Sequence, residues 1–253
     1  MSAIGLFARL AALFLLAASP ARAEEALVAV ATNFAEPAEA MAERFRAQTG
    51  HTVRLATGST GRLYAQIAQG APFDVFLAAD EARPARLVEE GLALAGTRRT
   101  YATGRLALWS RQASSQSPLE RLHGGAYRRL AVASPQLAPY GAAAEQSLVH
   151  LGLLEQARER LVFGENIGQT YTFLVTGNAD LGFVALSQLR RPGRAAPAGQ
   201  YEIVPSDWHD PVRQDVVLLV HGAQNAAARA WLDFLAGPEA AAILAGYGYE
   251  AGE

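Results

Sequence analysis

The sequence predicts an α/β protein of two lobes, each a mostly parallel sheet flanked by helices, with a ligand cleft between them. Three observations carry this. Short apolar runs such as residues 27–31 and 75–79 show no polar alternation, as strands buried on both faces do. Each is followed by a stretch of helical periodicity, so strand and helix alternate along the chain. The 253-residue chain holds more of these units than suits one doubly wound sheet, and its closing units resemble its opening ones.

Taken in order, residues 27–31 precede Phe34, Ala38, Met41 and Phe45, spaced by four, three and four as one helix face is. Residues 53–56 precede Leu63, Tyr64 and Ile67 before Gly70, and residues 75–79 precede an Arg- and Glu-rich helix ending at Gly91. Further strands are expected at 106–109, 130–133, 181–185, 203–204 and 216–220, and helices at 140–151, 167–175, 226–235 and 238–245. Residues 112–125 and 190–200 look like loops. The resemblance of the closing units to the opening ones places residues 24–103 and 212–253 in lobe one and residues 104–211 in lobe two. Two crossings make a hinge, and the cleft it closes is the expected ligand site.

Arg9, an apolar run over 10–18, Ser19-Pro20 and Ala21-Arg22-Ala23 form the pattern of a cleavable secretory signal over residues 1–23. The run is about half the ~20 residues that span a bilayer. A soluble, exported protein in a periplasm-like space is expected. Absence of Cys excludes disulfides, thiolate metal sites, cysteine nucleophiles and a lipid-anchored N-terminal Cys. All 22 basic residues are Arg, which excludes P-loop and Schiff-base chemistry, since both require Lys. A net charge of −2 gives no footprint for nucleic acid.

Four segments carry candidate chemistry: Ala31-Thr32-Asn33-Phe34, Thr57-Gly58-Ser59-Thr60-Gly61, Ala138-Pro139-Tyr140-Gly141 and Asn166-Ile167-Gly168-Gln169. Each alone can be read as no more than a helix start, capped or turned by its own residues. Together they place four helix N-termini on the ligand edge, two from each lobe, so that N–H donors and helix dipoles converge on an anion. Other features point elsewhere less well. Tyr247, Tyr249 and five His suggest ferric iron, yet no two His lie at i, i+2 or i, i+4, and Tyr247-Gly248-Tyr249 reads as a chain end after a helix. For an enzyme, no GxSxG elbow exists and His209 and His221 lack a nucleophile partner. Asp207 to Asp210 reads as a polar turn near the return crossing, Glu89-Glu90 as a solvated helix face, and Arg62 as a surface residue rather than a carboxylate clamp.

The ordered set VAVATNF, TGSTGRLYAQIAQGAPFDVFLAADE, APYG, NIGQ, ADLGFVAL and GPEAAAILAGYGY, spread from about Leu27 to Tyr249, resembles the periplasmic molybdate-binding proteins of molybdate ABC importers. The resemblance implies a type II periplasmic binding protein fold. It implies a tetrahedral oxyanion ligand, molybdate or tungstate, held by hydroxyls and main-chain N–H groups with no countercharge, no direct metal ligand and no cofactor. Carried across by position, the contacts are Thr32, Asn33, Ser59, Thr60, Tyr140 and, through its main-chain N–H, Ile167. Some members place a Tyr where Ala185 stands, and Asn33 is expected to stand in for the phenolic oxygen that Ala185 does not have. An inner-membrane ABC permease is the implied partner, and a monomer is expected. Sulfate, phosphate or ferric iron on the same fold are the alternatives.

Overall fold

The computed structural model describes residues 23–252. The expected signal sequence lies, apart from Ala23, outside the described residues. The chain runs β1 (Glu25–Ala31), α1 (Ala35–Thr49), β2 (Thr52–Gly58), α2 (Thr60–Ala68), β3 (Val75–Leu77), α3 (Ala82–Glu89) and β4 (Arg99–Gly104). It continues through β5 (Leu106–Ser110), α4 (Pro118–His123), β6 (Leu130–Ala133), α5 (Pro139–His150), α6 (Leu154–Ala157), β7 (Leu161–Gly164), α7 (Ile167–Val175), β8 (Leu181–Ala185), α8 (Leu186–Leu189) and β9 (Gln200–Ile203). It closes with β10 (Val212–Leu218), α9 (Ala226–Leu235), α10 (Pro238–Gly246) and β11 (Glu250–Ala251).

Two sheets result, ordered β11-β4-β10-β3-β1-β2 and β7-β6-β8-β5-β9. Pairing is parallel within β2-β1-β3 and β7-β6-β8. The strands that carry the chain between sheets, β4, β5, β9 and β10, pair antiparallel with their neighbours. Only Arg105 separates β4 in one sheet from β5 in the other, and residues 204–211 make the return. This is a two-lobed periplasmic binding protein architecture.

The unalternating apolar runs are buried on both faces, as expected. In the first sheet Val28, Val30, Val75, Leu77, Val216 and Leu218 pack on one side with Met41, Phe45 and Trp231, while Ala29, Phe76 and Val217 face Leu63, Ile67 and Leu87 on the other. The spaced residues Phe34, Ala38, Met41 and Phe45 are all fully buried. Each large apolar side chain so removed from water contributes about 1.5–3 kcal/mol.

Six elements depart from the sequence expectation, two of them the single-turn helices α6 and α8, which have no counterpart in it. The loop expected over 112–125 contains α4, a short helix started by a capping box between Ser117 and Glu120 with Pro118 at its first position. Strands β4, β7 and β11 have no counterpart in the sequence expectation. β4 is polar in sequence (RTYATG) because its side chains join a hydrogen-bond network, β7 is an edge strand with Phe163 exposed, and β11 has two residues.

Candidate functional site

Thr32 and Asn33 sit in a single 3₁₀ turn that follows β1, Ser59 and Thr60 at the start of α2, Tyr140 at the start of α5 and Ile167 at the start of α7. The structure brings all six to one small cavity between the sheets, lined also by Ala31, Gly58, Ala79, Ala138, Pro139 and Asn166, with a volume of about 10 Å³. No lining residue is charged.

The helix ends around it are largely uncapped. Ala31, Ser59 and Ala138 occupy the N-cap positions of the 3₁₀ turn, α2 and α5, and none makes a side-chain cap hydrogen bond. Of the four, α7 alone is capped, by Asn166 Oδ1 accepting from Gln169 N at 3.0 Å. First-turn N–H groups have no partner in the regular helical ladder, so those not taken elsewhere, as Gly61 N is by Leu137 O and Gly141 N by Ala138 O, remain available to an anion. Ser59 is the clearest case: its hydroxyl is buried and has no hydrogen-bond partner.

The remaining side chains are less free than their residue types suggest. Thr32 Oγ1 donates to Gly58 O at 3.0 Å. Asn33 Nδ2 donates to Gln214 Oε1 at 2.8 Å and to the Tyr249 hydroxyl at 3.0 Å, which occupies both amide protons. Asn33 therefore does not stand in, through its side chain, for the phenolic oxygen absent at Ala185, which is fully buried at the end of β8. Thr32 and Asn33 can reach the cavity only through the main chain. Thr60 Oγ1 accepts from Ala79 N at 3.0 Å and keeps its own proton. The Tyr140 hydroxyl accepts from Gln214 Nε2 at 3.3 Å, and its own proton can turn to the cavity or to the neighbouring Tyr249 hydroxyl.

Gln214, Tyr101, Ser187 and Tyr249 complete a buried polar cluster behind the cavity, of which the sequence singled out Tyr249 alone, and not as a site residue. Ser187 Oγ and the Tyr249 hydroxyl both donate to Asn33 O at 2.9 Å. The Tyr101 hydroxyl lies 3.0 Å from Gln214 Oε1 and 3.1 Å from Ala78 O. Tyr249 gets there because Gly248, at φ 81°, reverses the chain after α10, with Tyr249 N donating to Leu244 O and Gly248 N to Ala245 O as in a Schellman motif. The chain end is thus part of the site's support. Burial, reinforced by the neighbouring phenols, holds the Tyr140 hydroxyl well above its ordinary range; burial pushes Tyr249 up to about 12. These phenols are neutral donors at any physiological pH.

The lobes meet across the cavity. Gly61 N donates to Leu137 O at 2.9 Å and Arg83 Nη2 to Gln136 O at 2.8 Å, and Arg62 pairs with Glu165 at the surface. A Cβ on Gly168 would stand 2.5 Å from Cγ2 of Thr32, so α7 approaches the Thr32 turn as closely as glycine permits. Among the described residues no three His, Asp or Glu side chains gather in a way that could hold a metal ion. Likewise, no described helix is long and apolar enough to cross a membrane.

Comparisons with known proteins agree with this fold. A family model described as a bacterial extracellular solute-binding protein matches residues 26–250. The molybdate-binding protein ModA of Azotobacter vinelandii is 46% identical over 237 residues, 92% of this chain and 93% of that protein. ModA of Rhodobacter capsulatus is 47% identical over 232 residues, covering 92% and 90%. Among solved structures, the Azotobacter vinelandii periplasmic molybdate-binding protein superposes with a TM-score of 0.86 at 40% identity, over 90% of this chain and 100% of that one. With the match spanning both lobes and every cavity-lining segment, the chain belongs to the bacterial extracellular solute-binding proteins, as a relative of the family's molybdate-binding members.

Proposed function

We propose that this chain is a periplasmic binding protein that captures molybdate or tungstate and delivers it to an inner-membrane ABC permease. The observation that carries the reading is the Ser59 hydroxyl, buried without a partner beside a cavity ringed by uncapped helix N-termini and free of charged side chains. A buried polar group left unpaired costs about 1–3 kcal/mol, which a ligand oxygen restores. Ser59, Thr60 and Tyr140 donate through hydroxyls, and Thr32, Asn33 and Ile167 through main-chain N–H groups. The relatives' names supply the chemical identity of the oxyanion.

Donors alone suit a fully deprotonated ion. A protonated oxyanion would set its own donor against them, which disfavours hydrogen phosphate, and a cage sized for the larger ion stretches its contacts around sulfate. The protein is read as a monomer that binds its ligand without catalysis or cofactor and does not engage nucleic acid. Its hinge lies at Arg105 and residues 204–211, between lobe one (24–103 and 212–253) and lobe two (104–211). Titration calorimetry of the purified mature chain with molybdate, tungstate, sulfate, phosphate and ferric ion tests the reading. Saturable binding of molybdate and tungstate at a concentration where the others give no heat is expected. Equal binding of sulfate overturns the selectivity, and binding of ferric ion alone overturns the class.

A further inference from the structure

We infer that Gln214 is a positioning residue whose amide fixes the direction of the Tyr140 hydroxyl, so that its single proton is presented to the bound oxyanion. The inference rests on the oxyanion reading of the cavity and names a residue outside its lining.

The polarity follows from a main-chain carbonyl, which can only accept. Asn33 O lies 2.9 Å from both Ser187 Oγ and the Tyr249 hydroxyl, and takes a proton from each. With its proton so used, Tyr249 presents a lone pair to the Asn33 side chain, 3.0 Å away, which must therefore turn Nδ2 towards it. The same Nδ2 faces Gln214 at 2.8 Å, so Gln214 must answer with Oε1. Tyr101 is compatible with either orientation, because its one proton can go to Ala78 O at 3.1 Å or to Gln214 Oε1 at 3.0 Å, so the polarity rests on Asn33 and Tyr249. Once Oε1 is committed, only Nε2 is left to face Tyr140, at 3.3 Å. A flipped amide would oppose donor to donor at Asn33 and draw the Tyr140 proton away from the cavity.

Placement supports the same role. Gln214 is fully buried on β10, which carries the chain back from the second sheet, while Tyr140 opens α5 of the second sheet's lobe and Asn33 lies in the first. One amide therefore joins a donor turn of each lobe. Gly104, at the other crossing, makes room: a Cβ there would stand 2.0 Å from the Tyr140 hydroxyl and 2.6 Å from Gln214 Nε2.

Two variants test this on the full mature protein with sodium molybdate as the probe. Gln214→Glu keeps the shape but, when ionised, offers only acceptors, so it takes the Tyr140 proton and sets a negative charge beside the anion. When protonated it again has one donor. Burial without a facing cation raises the pKa of such a carboxyl. The groups around it are the phenols of Tyr101, Tyr140 and Tyr249 and the amide of Asn33; the neighbouring carboxylate, Asp215, pairs with Arg98 at 2.9 Å. Affinity of the variant, divided by that of the unsubstituted protein at each pH, should therefore rise as pH falls from 8 to 5.5. A flat ratio overturns the inference.

Gln214→Met, which removes both ends of the amide, covers the case in which the glutamate variant does not fold. Alone it should weaken molybdate binding by about 10- to 100-fold, but in a Tyr140→Phe background, where no phenolic proton remains to direct, by only about two- to threefold. Equal losses in both backgrounds would make Gln214 a purely structural residue and overturn the assignment. If the unsubstituted protein binds neither molybdate nor tungstate, the oxyanion reading itself fails and the inference with it; additive losses on a working binder sink the inference alone.

Discussion

At the scale of single residues, the two neighbouring hydroxyls at the start of α2 should behave oppositely. Ser59 Oγ has no partner within the protein, whereas Thr60 Oγ1 accepts from the buried Ala79 N. Ser59→Ala should weaken oxyanion binding by about 1–3 kcal/mol while leaving the unliganded protein as stable as before, since it removes an unsatisfied buried group. Thr60→Val should cost affinity too, but it also orphans Ala79 N and should lower the unliganded melting temperature. Calorimetry and thermal melting on the same samples separate the two. An unliganded Ser59→Ala protein destabilised as much as Thr60→Val would show that Ser59 serves the fold rather than the ligand.

At the scale of elements, α7 reaches the Thr32 turn only because Gly168 has no side chain. Gly168→Ala improves helix propensity by up to about 1 kcal/mol, against a Cβ that would stand 2.5 Å from Thr32 Cγ2 with the lobes in contact. Affinity for molybdate, which needs that contact, should fall at least about tenfold through faster release. Unchanged affinity would mean that α7 does not close on that turn. The Arg62–Glu165 pair also bridges the cleft, but both side chains are largely exposed, and Arg62→Ala should change affinity little.

At the scale of the whole molecule, binding joins lobes that are linked at two crossings, so ligand should stabilise the protein as a unit. At a hundredfold excess of molybdate over its dissociation constant the gain is about 2.7 kcal/mol, a rise of several degrees in melting temperature that sulfate should not reproduce. The pH dependence has a defined sign. No cavity-lining side chain titrates near neutrality and the Tyr140 phenol stays protonated, so affinity should vary less than about twofold between pH 6 and 8. A tenfold change there would bring a histidine into the site. For stability, the buried phenols keep their protons longer than they would in the unfolded chain. Their contribution is fully present below the ordinary tyrosine pKa of about 10 and is lost as pH rises towards the value of about 12 held by Tyr249. Melting temperature should thus fall steeply over that alkaline window.

The layered α/β fold is legible along the chain, because strands buried on both faces must be apolar at every position and helices packed on them must repeat an apolar face. The sequence also marked the four ligand-edge segments, because glycine, proline and hydroxyl residues at a strand-to-helix turn leave a local trace. Tertiary structure alone decided which donors are free. Thr32, Asn33 and Thr60 look equivalent to Ser59 in the sequence, yet their bonds to Gly58, Gln214, Tyr249 and Ala79 depend on chain segments up to 216 residues away. Gln214 in β10 carries no motif, and the GYGY run that holds Tyr249 does not record its role, for the same reason: a buried hydrogen-bond network is specified by where the folded chain brings its members together, and no periodicity along the chain records it.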